Sequence, residues 1–339
     1  MNDDLMIVLL SISQPRRTKL IDNLLMGKKT VSTLFWGNQY GLLKYSGIFK
    51  GINIDSEKTV NSLIHDGYVK NYDKYQFLLT KKGNAKKDSI IESFYFPKEL
   101  SSQYYYDVFT FQERFLLLIQ VISEYSYQNV NYYPLQTNFE NTNLIKSFFH
   151  DFKQQHIVEF IYKLITQFLQ SVDEDKANLF ANLLIGHDNY GLTDDQLKSH
   201  YQISLVETYF IKYDLWILLI KFISIRKDGL SKFLLKNIVK SRISNSANNT
   251  LKYFNEDYSL SYISNQNNIK ISTVKEHLLE NAIILSKEQF PYTKLLSNED
   301  IKLLNFTYHG ILVDDWQFIK VKGKIDFFAF RLYQILRSK

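Results

Sequence analysis

Residues 186–193, GHDNYGLT, carry two glycines and a threonine at the spacing of a loop that cradles nucleotide phosphates. Such a loop needs a lysine directly before its threonine, to neutralise the β- and γ-phosphates. Leu192 stands there instead, which excludes that chemistry. The 7 histidines (His65, His150, His156, His187, His200, His277 and His309) form no His-Glu-x-x-His pair, and His150 and His156 share no ready metal geometry. Asp173, Glu174 and Asp175 are a charge run that favours a helix N-terminus rather than an acid/base pair. Asp314 and Asp315 have the same local character. Neither Gly-x-Ser-x-Gly nor Gly-x-Gly-x-x-Gly occurs, and the absence of cysteine removes thiolate nucleophiles, disulfides and thiolate metal sites. The expectation is a non-enzymatic protein with no cofactor, no metal and no small-molecule substrate.

The chemistry that remains is recognition by cations and hydrogen-bonding side chains at helical spacing. Residues 258–280, YSLSYISNQNNIKISTVKEHLLE, predict a short helix capped by Ser259, a tight turn at Asn268 and a longer second helix starting between Lys270 and Ser272. Leu260, Ile263, Ile269, Val274, Leu278 and Leu279 face inward in that arrangement, and Lys270, Thr273, Lys275, Glu276 and His277 outward. Turn length and plug positions match a helix-turn-helix unit, whose second helix can enter a major groove with its first residues on base edges. Lys270, Ser272, Thr273 and Lys275 are therefore candidate DNA contacts, and His277 can reach a phosphate. Lys232, Lys236 and Lys240 recur every four residues, which predicts one helix face, with Arg226, Lys227 and Arg242 extending the basic zone. That stripe is either a phosphate track or plain solvated surface.

These residues need elements to hold them. The 339 residues exceed one ordinary domain, and 4 Pro with 12 Gly favour helices over a turn-rich β fold. Three stretches result: 1–88, 89–244 and 245–339. In the first, a helix ends near Gly27 and an apolar helical stretch breaks at Gly37 and Gly41. Ser56 caps a further helix that ends at Gly67, and two short strands meet about residues 71–74. This order predicts a winged-helix module, with Lys58 and Asn61 beside Glu57 on its exposed helix face and Lys81, Lys82, Lys86 and Lys87 behind the wing. Such modules bind DNA or protein. The middle stretch is helical and aromatic, with a loop predicted over 127–143. Residues 191–211 give a second helix-turn-helix frame, capped by Thr193, with Leu192, Leu197, Tyr201 and Ile203 in its core. It lacks a basic second helix and suits a scaffold. The fold class expected is mainly α: a winged-helix N-terminal module, a helical middle region and a C-terminal helix-turn-helix domain.

Net charge is +6, which permits an anionic partner without demanding one. The acidic start MNDDLMIVLL has the wrong polarity for a signal peptide. The apolar run at 215–225 is too short for a bilayer and is broken by Lys221. A cytoplasmic protein without membrane partners is expected.

The segment DYSLSYISNQNNIKISTVKEHLLE resembles the helix-turn-helix domain at the C-terminal end of some RecQ-family helicases, the Werner type included. It is also similar to the end of bacterial YpbB-like proteins, typically encoded beside a RecQ helicase. The N-terminal LLMGKKTVSTLFWGNQYGLLKYSGIF and the final IDFFAFRLYQIL resemble that family too. Two positions depart from its pattern: Ser264 replaces the usual Ala, and no basic residue stands near Asn267. The resemblance implies an accessory of a RecQ-family helicase in DNA repair or recombination, docking on the helicase, on branched or single-strand-containing DNA, or on both. A helix-turn-helix transcriptional regulator and a pure protein-interaction scaffold remain the alternatives.

Overall fold

The computed structural model describes residues 3–50, 54–152, 156–226 and 228–339. The chain forms two compact units. One comprises Met1–Ile90, Ser101–Tyr104 and Ser241–Lys339; the other comprises Ile91–Leu100 and Tyr105–Lys240. The first and third stretches of the sequence thus share a unit.

In the first unit, α1 (Asp3–Leu9), α2 (Thr18–Leu25) and α3 (Val31–Gln39) precede α4 (Ser56–His65). An antiparallel hairpin of β1 (Val69–Asp73) and β2 (Gln76–Leu79) follows, then α5 (Lys81–Ser93). Met26 and Gly27 end α2, with Gly27 at φ +80°. Gly37 does not break α3. The helix runs through it because α2 packs there, and an added Cβ would lie 2.8 Å from Leu24 Cδ1. Gly41 at φ +67° does end the turn that follows. Asp55, not Ser56, caps α4: its carboxylate accepts from Glu57 N, while the buried Ser56 hydroxyl bonds Asp22. The strands run on to Asp73, and the hairpin turns at Lys74 and Tyr75, because Asp73 accepts from Lys74 N and Tyr75 takes the left-handed conformation.

Lys87 on α5 donates to Leu10 O, and burial, with Arg16 nearby, lowers its pKa to about 8. A lysine depressed this way contributes stability that is present above its unfolded pKa of 10.5 and lost as pH falls through about 8. Urea melts of wild type and Lys87→Met should therefore diverge, wild type gaining on the variant from pH 8 upward. Parallel pH profiles would show that the ammonium sits unperturbed.

The second unit holds α6 (Val108–Ser126), α7 (Phe139–Phe152), α8 (Ile157–Gln170), α9 (Glu174–Ala181), α10 (Asp194–Tyr201), α11 (Leu205–Ser224) and α12 (Gly229–Leu234). β3 (Tyr104–Tyr106) and β4 (Val239–Ser241) lie where the chain passes between units. Its core gathers Phe111, Phe115, Phe148, Phe168, Phe180 and Trp216, whose rings meet largely edge to face. The loop after α6 is shorter than predicted, since α7 already starts at Phe139. Asp173 caps α9, and Thr193 and Ser204 close capping boxes on α10 and α11. Of the four core positions predicted for that second frame only Leu197 is fully buried; Leu192, Tyr201 and Ile203 are half-buried. Residues 215–217, 219, 220 and 223 of α11 are all buried, which makes it a central core helix.

The rest of the first unit is α13 (Asn245–Asn255), α14 (Leu260–Gln266), α15 (Ile271–Ile284), α16 (Asn298–Thr307) and α17 (Phe327–Arg337). From Leu278 to Ile284 every residue of α15 is buried. α15 packs on α13, α14, α17 and α3. Asp314 is not local: its carboxylate accepts from Gln14 Nε2 at 2.6 Å.

Candidate nucleic-acid interface

The turn between α14 and α15 is built from small polar residues. Ser259 caps α14 by accepting from Tyr262 N. Asn268 takes φ +51°, and the Ile269 N–H returns to Ser264 O at 3.0 Å. The Ser264 hydroxyl closes the loop by donating to Ile269 O. An alanine at this position could not make that bond, which gives the departure at Ser264 a structural role. Asn249 on α13 donates to Asn267 Oδ1 at 3.0 Å and ties down the same turn. Ile263, Val274, Leu278 and Leu279 are buried as expected, whereas Leu260 and Ile269 are half-buried.

Burial of the C-terminal half of α15 leaves only its first turns for a partner. Lys270 is the N-cap residue, is exposed, and makes no side-chain cap. Within the same unit α13, α14, α16 and α17 are all capped by serine or aspartate side chains, whereas α2, with Arg17 at its N-cap, is not. The first N–H groups of a helix have no intrahelical acceptor. Here a lysine stands where an oxygen usually does, so the positive end of α15 stays open to an anion. Ile271 is 44% exposed, Ser272 and Glu276 are exposed, and Thr273 is half-buried.

Two predicted contacts turn elsewhere. Lys275 pairs with Asp326, the N-cap of α17, and its ammonium lies 5.5 Å from the Phe328 ring centroid. Burial works to raise the Asp326 pKa, but hydrogen bonds from Lys275 and from Phe328 N outweigh it and hold the carboxyl below its usual range. His277 faces α13, its Nδ1 2.8 Å from the buried Thr250 Oγ1. Both are drawn off by partners outside the helix-turn-helix segment. Asn281 donates to Ala247 O and His277 O, and Glu280 accepts from both the N–H and the hydroxyl of Ser244. Those bonds fix α13 against α15 and so set the direction in which Lys270 and Ser272 point.

The lysine stripe does not form. α12 stops at Leu234, Asn237 takes φ +62°, and the chain extends into β4. Arg114 Nη1 captures the carbonyls of Leu234 and Lys236 at 2.6 and 2.9 Å, which removes the acceptors a continuing helix would use. Lys232 and Lys236 remain exposed, and Lys240 lies 3.3 Å from Asp107. Arg242 is buried, and its guanidinium binds the carbonyls of Ser101, Ser46 and Lys44. Arg226 donates to Gln167; Lys227 lies outside the described residues. On α4, Glu57, Lys58 and Asn61 are all exposed.

Among the described residues no group of three or more histidine or carboxylate side chains could hold a metal ion. No described helix is long and apolar enough to cross a membrane. Residues 246–334 match a family described as a helix-turn-helix domain, the stretch that runs from α13 into α17. No curated protein and no solved structure matches the chain.

Proposed function

We propose that this protein binds DNA without catalysing a reaction, using the open N-terminal turn of α15 as its principal contact. The carrying observation is Lys270 at an uncapped helix end inside the matched helix-turn-helix domain. A phosphate there meets free N–H groups, the helix dipole and an ammonium together. Ser272 and Thr273, in the same first turn, are the residues this reading puts against base edges.

The N-terminal segment supports a winged-helix reading. Arg16, between α1 and α2, and Phe77 exchange backbone hydrogen bonds at 3.0 Å in both directions, an isolated antiparallel bridge alongside the hairpin. Lys58 and Asn61 on α4 then lie on the face a winged helix offers a partner. A role beside a RecQ-family helicase rests on the sequence resemblance alone. One observation favours a protein-binding alternative: Lys270 and Glu276 cancel in charge, and Ile271 is an exposed apolar residue between them.

Anisotropy titration of labelled forked and plain duplex DNA at two salt concentrations tests the reading. The slope of log K against log salt should be shallow but non-zero, at about 0.9 per phosphate contact. Absence of binding at low salt would turn the face toward a protein partner.

A further inference from the structure

The helix-turn-helix unit carries an aromatic feature that its packing does not use up. Tyr253 on α13, Tyr258 before α14 and Tyr262 on α14 form a ladder leading from the half-buried interior to solvent. Tyr253 meets Tyr258 edge-on, with centroids 5.8 Å apart and planes at 74°. Tyr258 then stacks on Tyr262 at 4.5 Å with planes within 13°. Both outer rings are 39% exposed. Among the described residues neither hydroxyl has a hydrogen-bond partner.

We propose that this ladder is a stacking platform for an unpaired nucleic-acid base, which continues the stack beyond Tyr262. The proposal rests on the DNA-binding reading above and specifies its substrate as DNA with a single-stranded part. Every base offers a π-face, so such a platform binds without sequence preference. A tyrosine pair already stacked and anchored by Tyr253 is ordered before a base arrives, which reduces the entropy lost on binding. Tyr262 stands four residues before the end of α14 at Gln266, so the platform lies about 6 Å of helical rise from the turn that leads to Lys270. An extended strand spans that gap in one or two nucleotides. One strand can thus hold a phosphate at the open end of α15 and a base on Tyr262.

The test uses the full chain with a labelled oligothymidylate of about 12 nucleotides and a duplex of equal length. The proteins are wild type, Tyr262→Ala, Tyr262→Phe and Lys270→Glu, each checked for an unchanged melt. Tyr262→Ala should weaken single-strand binding by about 5- to 150-fold and duplex binding by less than about twofold, while Tyr262→Phe keeps both. Equal loss on both substrates, or no loss on either, overturns the platform. If wild type binds the single strand in a Tyr262-dependent way but ignores duplex, the platform stands and the duplex reading fails. Binding to neither overturns both.

Discussion

Arg114→Ala should destabilise the second unit by about 4 kcal/mol, because it strips hydrogen bonds from buried acceptors and leaves a cavity. Arg114 is fully buried in the middle of α6. Burial pulls its pKa down, with Glu140 and Asp107 working to raise it. Its Nε donates to Asn141 Oδ1 at 3.0 Å, and its Nη1 donates to Leu234 O and Lys236 O. Removing the side chain orphans all three oxygens. It also frees residues 232–240 from the bonds that stop α12, so amide hydrogen exchange there should change first. Lysine should not rescue, since a single ammonium lacks the planar fork that reaches two carbonyls and an amide together. A urea melt of Arg114→Ala within about 0.5 kcal/mol of wild type would contradict this account.

Gly83→Val should cost the first unit about 3 kcal/mol, at the upper end of overpacking effects. Gly83 is the third residue of α5, and an added Cβ would fall 2.0 Å from Tyr68 O and 2.9 Å from Tyr68 C. Those atoms are backbone and cannot swing aside. Tyr68 O is moreover held in place, accepting from Thr80 N at 2.9 Å and Thr80 Oγ1 at 3.2 Å. Even alanine should be costly here. Gly41→Ala is the comparison: its φ of +67° carries strain but its Cβ direction is open, so about 1 kcal/mol is expected. Equal melts for the Gly83 and Gly41 variants would contradict a close approach of α5 to the hairpin backbone.

Local chemistry was legible in the sequence, and long-range capture was not. Ser259, Asn268, Thr193 and Gly67 each act within a few residues of themselves, so capping and turn rules located them. Lys275 and His277 had the right helical positions to face outward. Their partners Asp326 and Thr250 are 51 and 27 residues away, and no periodicity reports that. The lysines at 232, 236 and 240 kept helical spacing, yet Arg114, 120 residues upstream of Leu234, ends the helix. Gly37 read as a breaker because its role depends on Leu24 of another helix. The open end of α15 was readable in principle, since a lysine stands where serine, threonine or aspartate usually caps. It became informative only once α13, α14, α16 and α17 proved capped and the C-terminal half of α15 proved buried.

The central claim is that the first turn of α15 touches DNA. The chain has no cysteine, so Ser272→Cys and Lys302→Cys give single attachment points for a short photocrosslinker on otherwise native protein. Lys302 is exposed on α16, outside the helix-turn-helix segment that carries the proposed contact. Irradiation with forked DNA should crosslink from position 272 and not from 302, and Lys270→Glu in the same background should abolish it. Equal crosslinking from both positions, or none from 272 under conditions where the protein binds DNA, would contradict the account.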